Sequence, residues 1–349
     1  MNETKVSFRA RAATEDAHQS SPLRKTTREL FEPMIWAIDL REARVPTLQS
    51  QLKSIRKVLG VDQPQILPAT VVYPVDFGLS AGWPEPADRT VSRLQTYFSE
   101  RLAPLGLPVQ PHLITEESDS LRKAVHTLIK YAKREKAGAV VVGTHGRKGF
   151  QRFRLGSFAE ALIGASTVPV LVLPQRAHSR HKQARILFAT DFSEGSRRAF
   201  RSIVELAKRS KARIDLLHVF SLRTDALAMN DLGMGVDALW IDELWRQTEF
   251  TRKRSGEEMA QVAKAAGVEC EFVLKYRDGR LGSQIAKVAK ARKCTLIALG
   301  TGTHLDQRFH WGSSVRDVLL ETNCPVLVTP HELRKNSKSP QSQNQRRMK

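Results

Sequence analysis

A glycine-rich segment between an apolar run and a helix-like run contains the residue types best suited to hold a phosphate. It reads Gly143-Thr144-His145-Gly146, continues for nine residues, and ends at Gly156-Ser157. Glycine lets the backbone turn sharply and approach a ligand, and the amides at a helix N-terminus attract anions. Four basic residues lie within the segment: Arg147, Lys148, Arg152 and Arg154. Their charge suits a triphosphate, so the segment predicts a phosphate cradle.

Two of these residues also have ordinary structural explanations. Ser157 and Glu160 form the S-x-x-E pattern of a capping box, so Ser157 alternatively only caps the helix. His145 is placed to touch a phosphate, although a loop histidine without a visible partner is more often solvated. We predict no catalytic residue and no bound metal, because the sequence groups neither a nucleophile with a base nor an H-E-x-x-H motif.

The chain contains the same unit twice. In each copy an apolar strand ends in aspartate, a later apolar strand ends in glycine, and a third apolar strand lies between prolines. The matching segments are 34–39 and 186–191, 140–144 and 297–301, and 169–174 and 325–330. The interval from glycine to closing proline is eighteen residues in both copies, Gly156 to Pro174 and Gly312 to Pro330. Two tandem domains of one architecture follow.

Each copy alternates strands with helices, the pattern of a parallel sheet covered by helices on both faces. In the second copy, strands are expected at 186–190, 213–219, 268–275, 294–299 and 325–329. A long second helix is expected at 239–266, and apolar residues at helical spacing mark the third helix of each copy. We therefore predict an α/β protein with two tandem, doubly wound domains, each built on a five-stranded parallel sheet.

The Gly-x2-Gly-x9-Gly-Ser spacing, with the strand 168–174 after it, resembles the nucleotide-binding signature of the universal stress protein family. It is neither a Walker A motif nor the G-x-G-x-x-G dinucleotide pattern. Through the repeat, the resemblance extends over residues 33–330. It implies a Rossmann-like strand order of 3-2-1-4-5, binding of ATP with or without Mg²⁺, and a regulatory or signalling role in the stress response. Some relatives of this fold hydrolyse ATP slowly or autophosphorylate, and no residue here predicts either activity.

The resemblance also implies where the nucleotide lies. In such a sheet a ligand binds where the strand order reverses, outside the carboxyl ends of strands one and four. Asp39 is then implied to contact the base or ribose, and the glycine-rich segment to hold the phosphates. The implied residues of the first copy are Asp39, Gly143, Thr144, His145, Gly146, Gly156 and Ser157. Asp39 alternatively serves only as a turn residue, and the Leu40-Arg41 that follows departs from the Asp-x-Ser pattern of the second copy.

The second copy carries a degenerate form of this segment. Thr303 stands where the first copy has Gly146, and the segment is one residue shorter before Gly312-Ser313. A β-branched residue disfavours positive φ and close approach to a phosphate, which favours loss of nucleotide binding. A partial site remains, made of Asp191, Gly300, Gly312 and Ser313. Asp191 alternatively leads a turn into a capped helix.

The net charge of +20 is concentrated in three segments. The residues from Leu333 onwards contribute +6, residues 175–185 contribute +4, and the glycine-rich segment contributes another +4. The predicted divisions are a disordered arm at 1–31, a domain at 32–175, a basic linker at 176–185, a domain at 186–332 and a disordered basic tail at 333–349. No nucleic-acid-binding module is recognisable. The charge nevertheless favours one alternative function, a nucleotide-free interaction protein whose basic arms bind nucleic acid or acidic partners.

The remaining composition indicates the cellular setting. No run approaches the roughly 18 apolar residues of a membrane helix and no secretory signal is visible, which predicts a cytoplasmic protein with no membrane partner. The three cysteines are widely spaced without a C-x-x-C pair, so buried, reduced thiols are expected. The last strand of each copy would lie at a sheet edge. Those two edges could cover each other as an internal pseudo-dimer, or chains could pair as a homodimer.

Overall fold

The computed structural model describes residues 31–41, 44–72, 87–107, 110–116, 120–144, 156–174, 183–220, 238–300 and 313–330. Most of the predicted arm and linker and nearly all of the predicted tail lie outside these residues, as do His145, Gly146 and Gly312 of the predicted site. Phe31, which the sequence assigns to the arm, is buried in a hydrophobic core. Arg185, which the sequence assigns to the linker, begins a strand.

The first unit alternates strands and helices as predicted. Its strands are β1 (Met34–Ala37), β2 (Ile66–Val72), β3 (His112–Thr115), β4 (Ala139–Gly143) and β5 (Val170–Leu173). Its helices are α1 (Val45–Leu59), α2 (Ala87–Leu102), α3 (Leu121–Arg134) and α4 (Ser157–Ala165), with a 3-10 turn at Ala103–Leu105. Strands β4 and β5 are buried at every position, which is typical of parallel strands covered on both faces.

The second unit repeats this order. Its strands are β6 (Arg185–Ala189), β7 (Arg213–Phe220), β8 (Cys270–Tyr276), β9 (Leu296–Gly300) and β10 (Val326–Thr329). Its helices are α5 (Glu194–Ser210), α6 (Ala238–Ala265), α7 (Leu281–Ala291) and α8 (Ser313–Glu321). The five strands and the long second helix predicted for this copy are confirmed.

All ten strands form one continuous sheet in the order β3-β2-β1-β4-β5-β10-β9-β6-β7-β8. Within each unit neighbouring strands are parallel, which confirms the predicted order 3-2-1-4-5 twice. The last strands of the two units pair antiparallel, with Leu171 opposite Leu327. This confirms that the two edges cover each other inside one chain. Because the pairing is antiparallel, the carboxyl edges of the two half-sheets face opposite directions.

Helix α1 shows how the sequence produces the packing between the units. Its buried leucine and isoleucine positions recur at helical spacing: Leu48, Leu52, Ile55 and Leu59. Gly60 ends the helix in the left-handed conformation, with φ of 67°. A Cβ at Gly60 would lie 2.4 Å from the Cα of Ser210, the last residue of α5. Glycine therefore lets the end of α1 touch the end of α5 in the other unit.

A buried ion pair lies beside this contact. Glu32, which precedes β1, is 2% exposed in its side chain and accepts a hydrogen bond from Arg209 Nη2 of α5 at 2.8 Å. Its other carboxylate oxygen, Oε1, accepts from the Gln65 amide at 2.9 Å. Glu32 is thus compensated by one partner from each unit, and it links the two half-sheets on the face that α1 and α5 cover.

Candidate functional site

The reversal of strand order in the first unit lies between β1 and β4. These strands are parallel neighbours with Ala37 opposite Val142, so Asp39 and Gly143 both follow at the same carboxyl edge. Thr144 continues beyond the sheet, and its amide donates to the Leu173 carbonyl at 2.8 Å. The structure therefore brings Asp39, Gly143 and Thr144 to one edge, where open parallel sheets bind ligands.

Asp39 forms a turn at this edge. Its side chain is exposed, and Oδ1 accepts a hydrogen bond from the Arg41 amide at 2.9 Å. The turn role left open by the sequence is therefore confirmed. A carboxylate has about four acceptor positions, so forming this turn does not by itself prevent a bond to a ribose hydroxyl or a base amine.

Helix α4 begins one residue earlier than a capping box requires. Gly156 is the N-cap, with φ of −63° and ψ of 138°, and Ser157 is the first helical residue. The capping-box interpretation of Ser157 is therefore wrong. Glu160 instead lies 3.6 Å from Arg316 of the second unit. Because a glycine N-cap has no side chain, it cannot cap the first amides of α4, which suits them to receive an anion.

The matching edge of the second unit is organised differently. Strands β6 and β9 are parallel neighbours with Ala189 opposite Leu299, so Asp191 and Gly300 follow at one edge. Asp191 is exposed, and its Oδ1 accepts from the Ser193 amide at 2.9 Å. Ser193 then caps α5 by accepting from the Ser196 amide at 3.2 Å. The turn into a capped helix, the alternative predicted for Asp191, is confirmed.

A buried polar network lies behind Asp191, and the sequence analysis missed it. Thr190 Oγ1 is 2.8 Å from Ser196 Oγ, and the His218 Nδ1 atom is 2.8 Å from the Thr190 carbonyl oxygen. Phe192, in the left-handed conformation at φ 63°, places its ring centroid 4.6 Å from that of His218. A histidine within the apolar run 216–220 of β7 was the available signal. The matching strand registers give the equivalent residues of the first unit. Ile38, Leu40 and Thr70 stand there in place of Thr190, Phe192 and His218.

The charges at the helix starts differ between α1 and α5. Burial lowers the pKa of His218, and the Thr190 carbonyl opposes this shift. Helix α5 carries Glu194 in its first turn, whereas α1 begins at Arg44 without a side-chain cap and with no acidic residue in that turn. Acidic residues stabilise a helix N-terminus and repel an anion from it. The start of α1 is therefore more favourable than that of α5 for a negatively charged ligand, whereas α4 carries Glu160 in its first turn and has no such advantage.

The described part of the chain contains neither a candidate metal site nor a candidate membrane-spanning helix. There, no group of three or more His, Cys, Asp or Glu side chains could hold a metal ion. No helix within the described ranges is long and apolar enough to cross a membrane.

The comparisons with known proteins agree on one family. The model of the universal stress protein family matches residues 65–174 and 184–330. Universal stress protein YxiE of Bacillus subtilis (strain 168) is 27% identical over 148 residues, which cover 41% of this chain and 97% of that protein. A universal stress protein from Archaeoglobus fulgidus DSM 4304 has 18% identity and a TM-score of 0.57, over 86% of this chain and 98% of that one. A putative universal stress protein from Pseudomonas aeruginosa UCBPP-PA14 has 15% identity and a TM-score of 0.54, over 87% and 95% of the two chains.

Proposed function

Because this chain belongs to the universal stress protein family, we propose that its first unit binds ATP and that the protein is a regulatory or signalling module of the stress response. The observation that carries the proposal is the meeting of Asp39, Gly143 and Thr144 at the carboxyl edge where the strand order reverses. The glycine-rich segment continues from this edge and ends at the N-terminus of α4. The segment thus joins the two places where nucleoside and phosphate would be held.

Each described residue has a role that its chemistry supports. Asp39 would accept a hydrogen bond from the base or ribose, and Thr144 would offer its hydroxyl near the phosphates. Gly156 and Ser157 would direct the first amides of α4 toward the phosphate oxygens. Any Mg²⁺ would enter with the nucleotide, since it is commonly held by substrate phosphates with one or two protein carboxylates. The proposal assigns no catalytic residue, and the protein is expected to hold ATP rather than to turn it over rapidly.

The direct test is to identify what the purified protein carries. The full chain is precipitated with acid, and the released nucleotides are identified by chromatography and mass spectrometry, with ATP titration of the emptied protein as a second measurement. We expect adenine nucleotide at no more than one equivalent per chain, and loss of binding in Gly146→Thr, which copies the residue of the second unit. Nucleotide content unaffected by that variant would refute the proposed site.

A second candidate function rests on the charge of the tail. Residues 334–349 carry six basic side chains and no acidic one, so they could bind nucleic acid through phosphate contacts. Such binding falls steeply with added salt, and deletion of residues 334–349 should remove it. Absent or salt-independent binding would rule out this function and leave the ATP site untouched.

A further inference from the structure

Two of the three cysteines meet where β9 and β10 begin. Cys294 precedes β9 and Cys324 precedes β10, and the Cys324 thiol donates to the Cys294 carbonyl oxygen at 3.4 Å. Both side chains are partly buried against the same hydrophobic cluster, whereas Cys270 belongs to the cluster on the other side. All three cysteines are reduced in this structure. Cys294 and Cys324 are therefore neighbours on one face of the sheet, and Cys270 is separated from them.

The strand register sets the spacing of the two backbones. Val326 pairs with Ile297 in parallel register, so the residues before β10 run beside the residues before β9 and bring Cys324 next to Cys294. Strands about 4.8 Å apart, with a rise of about 3.3 Å per residue, give a diagonal Cα separation of roughly 6 Å. Disulfides join Cα atoms separated by about 4.4–6.8 Å. A disulfide would then form once the Cys294 thiol turns from Asp215 Oδ2, 3.7 Å away, toward Cys324.

We propose that Cys294 and Cys324 form a dithiol that a peroxide-class oxidant converts into an intramolecular disulfide. The two thiols lose two protons and two electrons as the S–S bond forms. Hydrogen peroxide accepts both, its O–O bond breaks, and two molecules of water form. No other group of the chain is consumed in this reaction.

The position of this bond gives it a consequence for the second unit. Residues 295–323 contain β9, the degenerate glycine segment and α8, so the bond would join the two ends of this stretch. In the first unit the equivalent positions are Ala137 and Val168. The equivalence rests on matching backbone bonds, Ala137 to Ala132 and Cys294 to Ala289. Only the second unit can therefore be cross-linked in this way.

The surroundings predict a slow reaction that accelerates with pH. Burial is the main reason that the pKa of Cys294 is raised to about 12, and the nearby Asp215 carboxylate adds to the effect. The thiolate is the nucleophile in disulfide chemistry. Below the pKa its fraction rises about tenfold per pH unit, and the cross-linking rate should rise with it.

The test uses the full-length reduced protein treated with hydrogen peroxide at pH 7 and pH 8. Free thiols are then blocked with N-ethylmaleimide in denaturant, and the protein is digested with trypsin without reduction. Cleavage after Lys293, Arg308 and Arg316 places the two cysteines on separate peptides. We expect a linked Cys294–Cys324 peptide pair, lighter by two hydrogens than the separate peptides, forming about tenfold faster at pH 8.

Matched variants define the outcomes. Cys270→Ser should form the same link at the same rate, and Cys324→Ser should lose it. The proposal is overturned if both thiols of the oxidised native protein still take up the maleimide after unfolding, or if the linked pair contains Cys270.

Discussion

The two units have one fold, but the helix starts at their carboxyl edges are capped in different ways. At the first edge the nearby helix starts lack side-chain caps: α1 begins at Arg44 and α4 at the glycine N-cap. At the second edge Ser193 caps α5, and Thr190 bonds to Ser196 through its hydroxyl and to His218 through its carbonyl oxygen. The second unit thus caps α5 with its own side chain, whereas α1 and α4 of the first unit start without a side-chain cap. A duplicated fold can thus keep its sheet unchanged while the two copies differ in how the helix starts at their carboxyl edges are capped.

The largest expected difference between the units is in nucleotide affinity. Gly156→Val should weaken ATP binding by about 100-fold or more, because the side chain would occupy space beside the amides that receive the phosphates. The backbone at Gly156 has φ of −63°, which valine can adopt, so the fold should survive. The matched substitution Gly312→Val in the second unit should change the affinity less than twofold. Isothermal titration of both variants measures this contrast, and equal losses would mean that the units do not differ as proposed.

The sequence predicted features that depend on repeated apolar patterns. The parallel sheets follow from apolar runs that recur in both copies. The strand order was instead implied by the family resemblance, and the pairing of β5 with β10 was one of two arrangements that the sequence left open. The sequence did not predict the role of Ser157 correctly. A shift of one residue in the helix start decides whether Ser157 is the cap or the first helical residue, and an apolar pattern does not define a helix start that closely. The sequence analysis also missed Glu32 and Arg209, which lie 177 positions apart and meet only after the two sheets join.

The next largest effect should be on the stability of the junction between the units. Arg209→Ala leaves the Glu32 carboxylate buried without its charged partner, and this should cost about 3 kcal/mol of unfolding free energy. The double variant E32A/R209A should recover much of that loss, because no buried charge then remains unpaired. The matched control is Arg254→Ala, whose partner Glu258 is well exposed, and it should cost about 0.5 kcal/mol or less. Urea denaturation of the four proteins compares these values.

A loss in the double variant as large as in Arg209→Ala would contradict this account. It would mean that the α1–α5 junction depends on the packing of the arginine stem rather than on charge compensation.

The smallest expected effect is on how the stability of the second unit depends on pH. His218 is buried against Phe192, with Arg252 and Asp191 as the charged groups that act on it, and burial lowers its pKa below the value of the unfolded chain. The unfolded state therefore binds the proton more readily, so stability is full above pH 6.5 and falls as the pH drops below it. The slope contributed by one histidine is at most about 1.4 kcal/mol per pH unit. His218→Thr, which introduces the first unit's residue, should lower stability at pH 7 and flatten the slope between pH 7 and pH 5. Thermal unfolding over this range measures both quantities, and an unchanged slope would show that the second unit does not owe its acid sensitivity to this network.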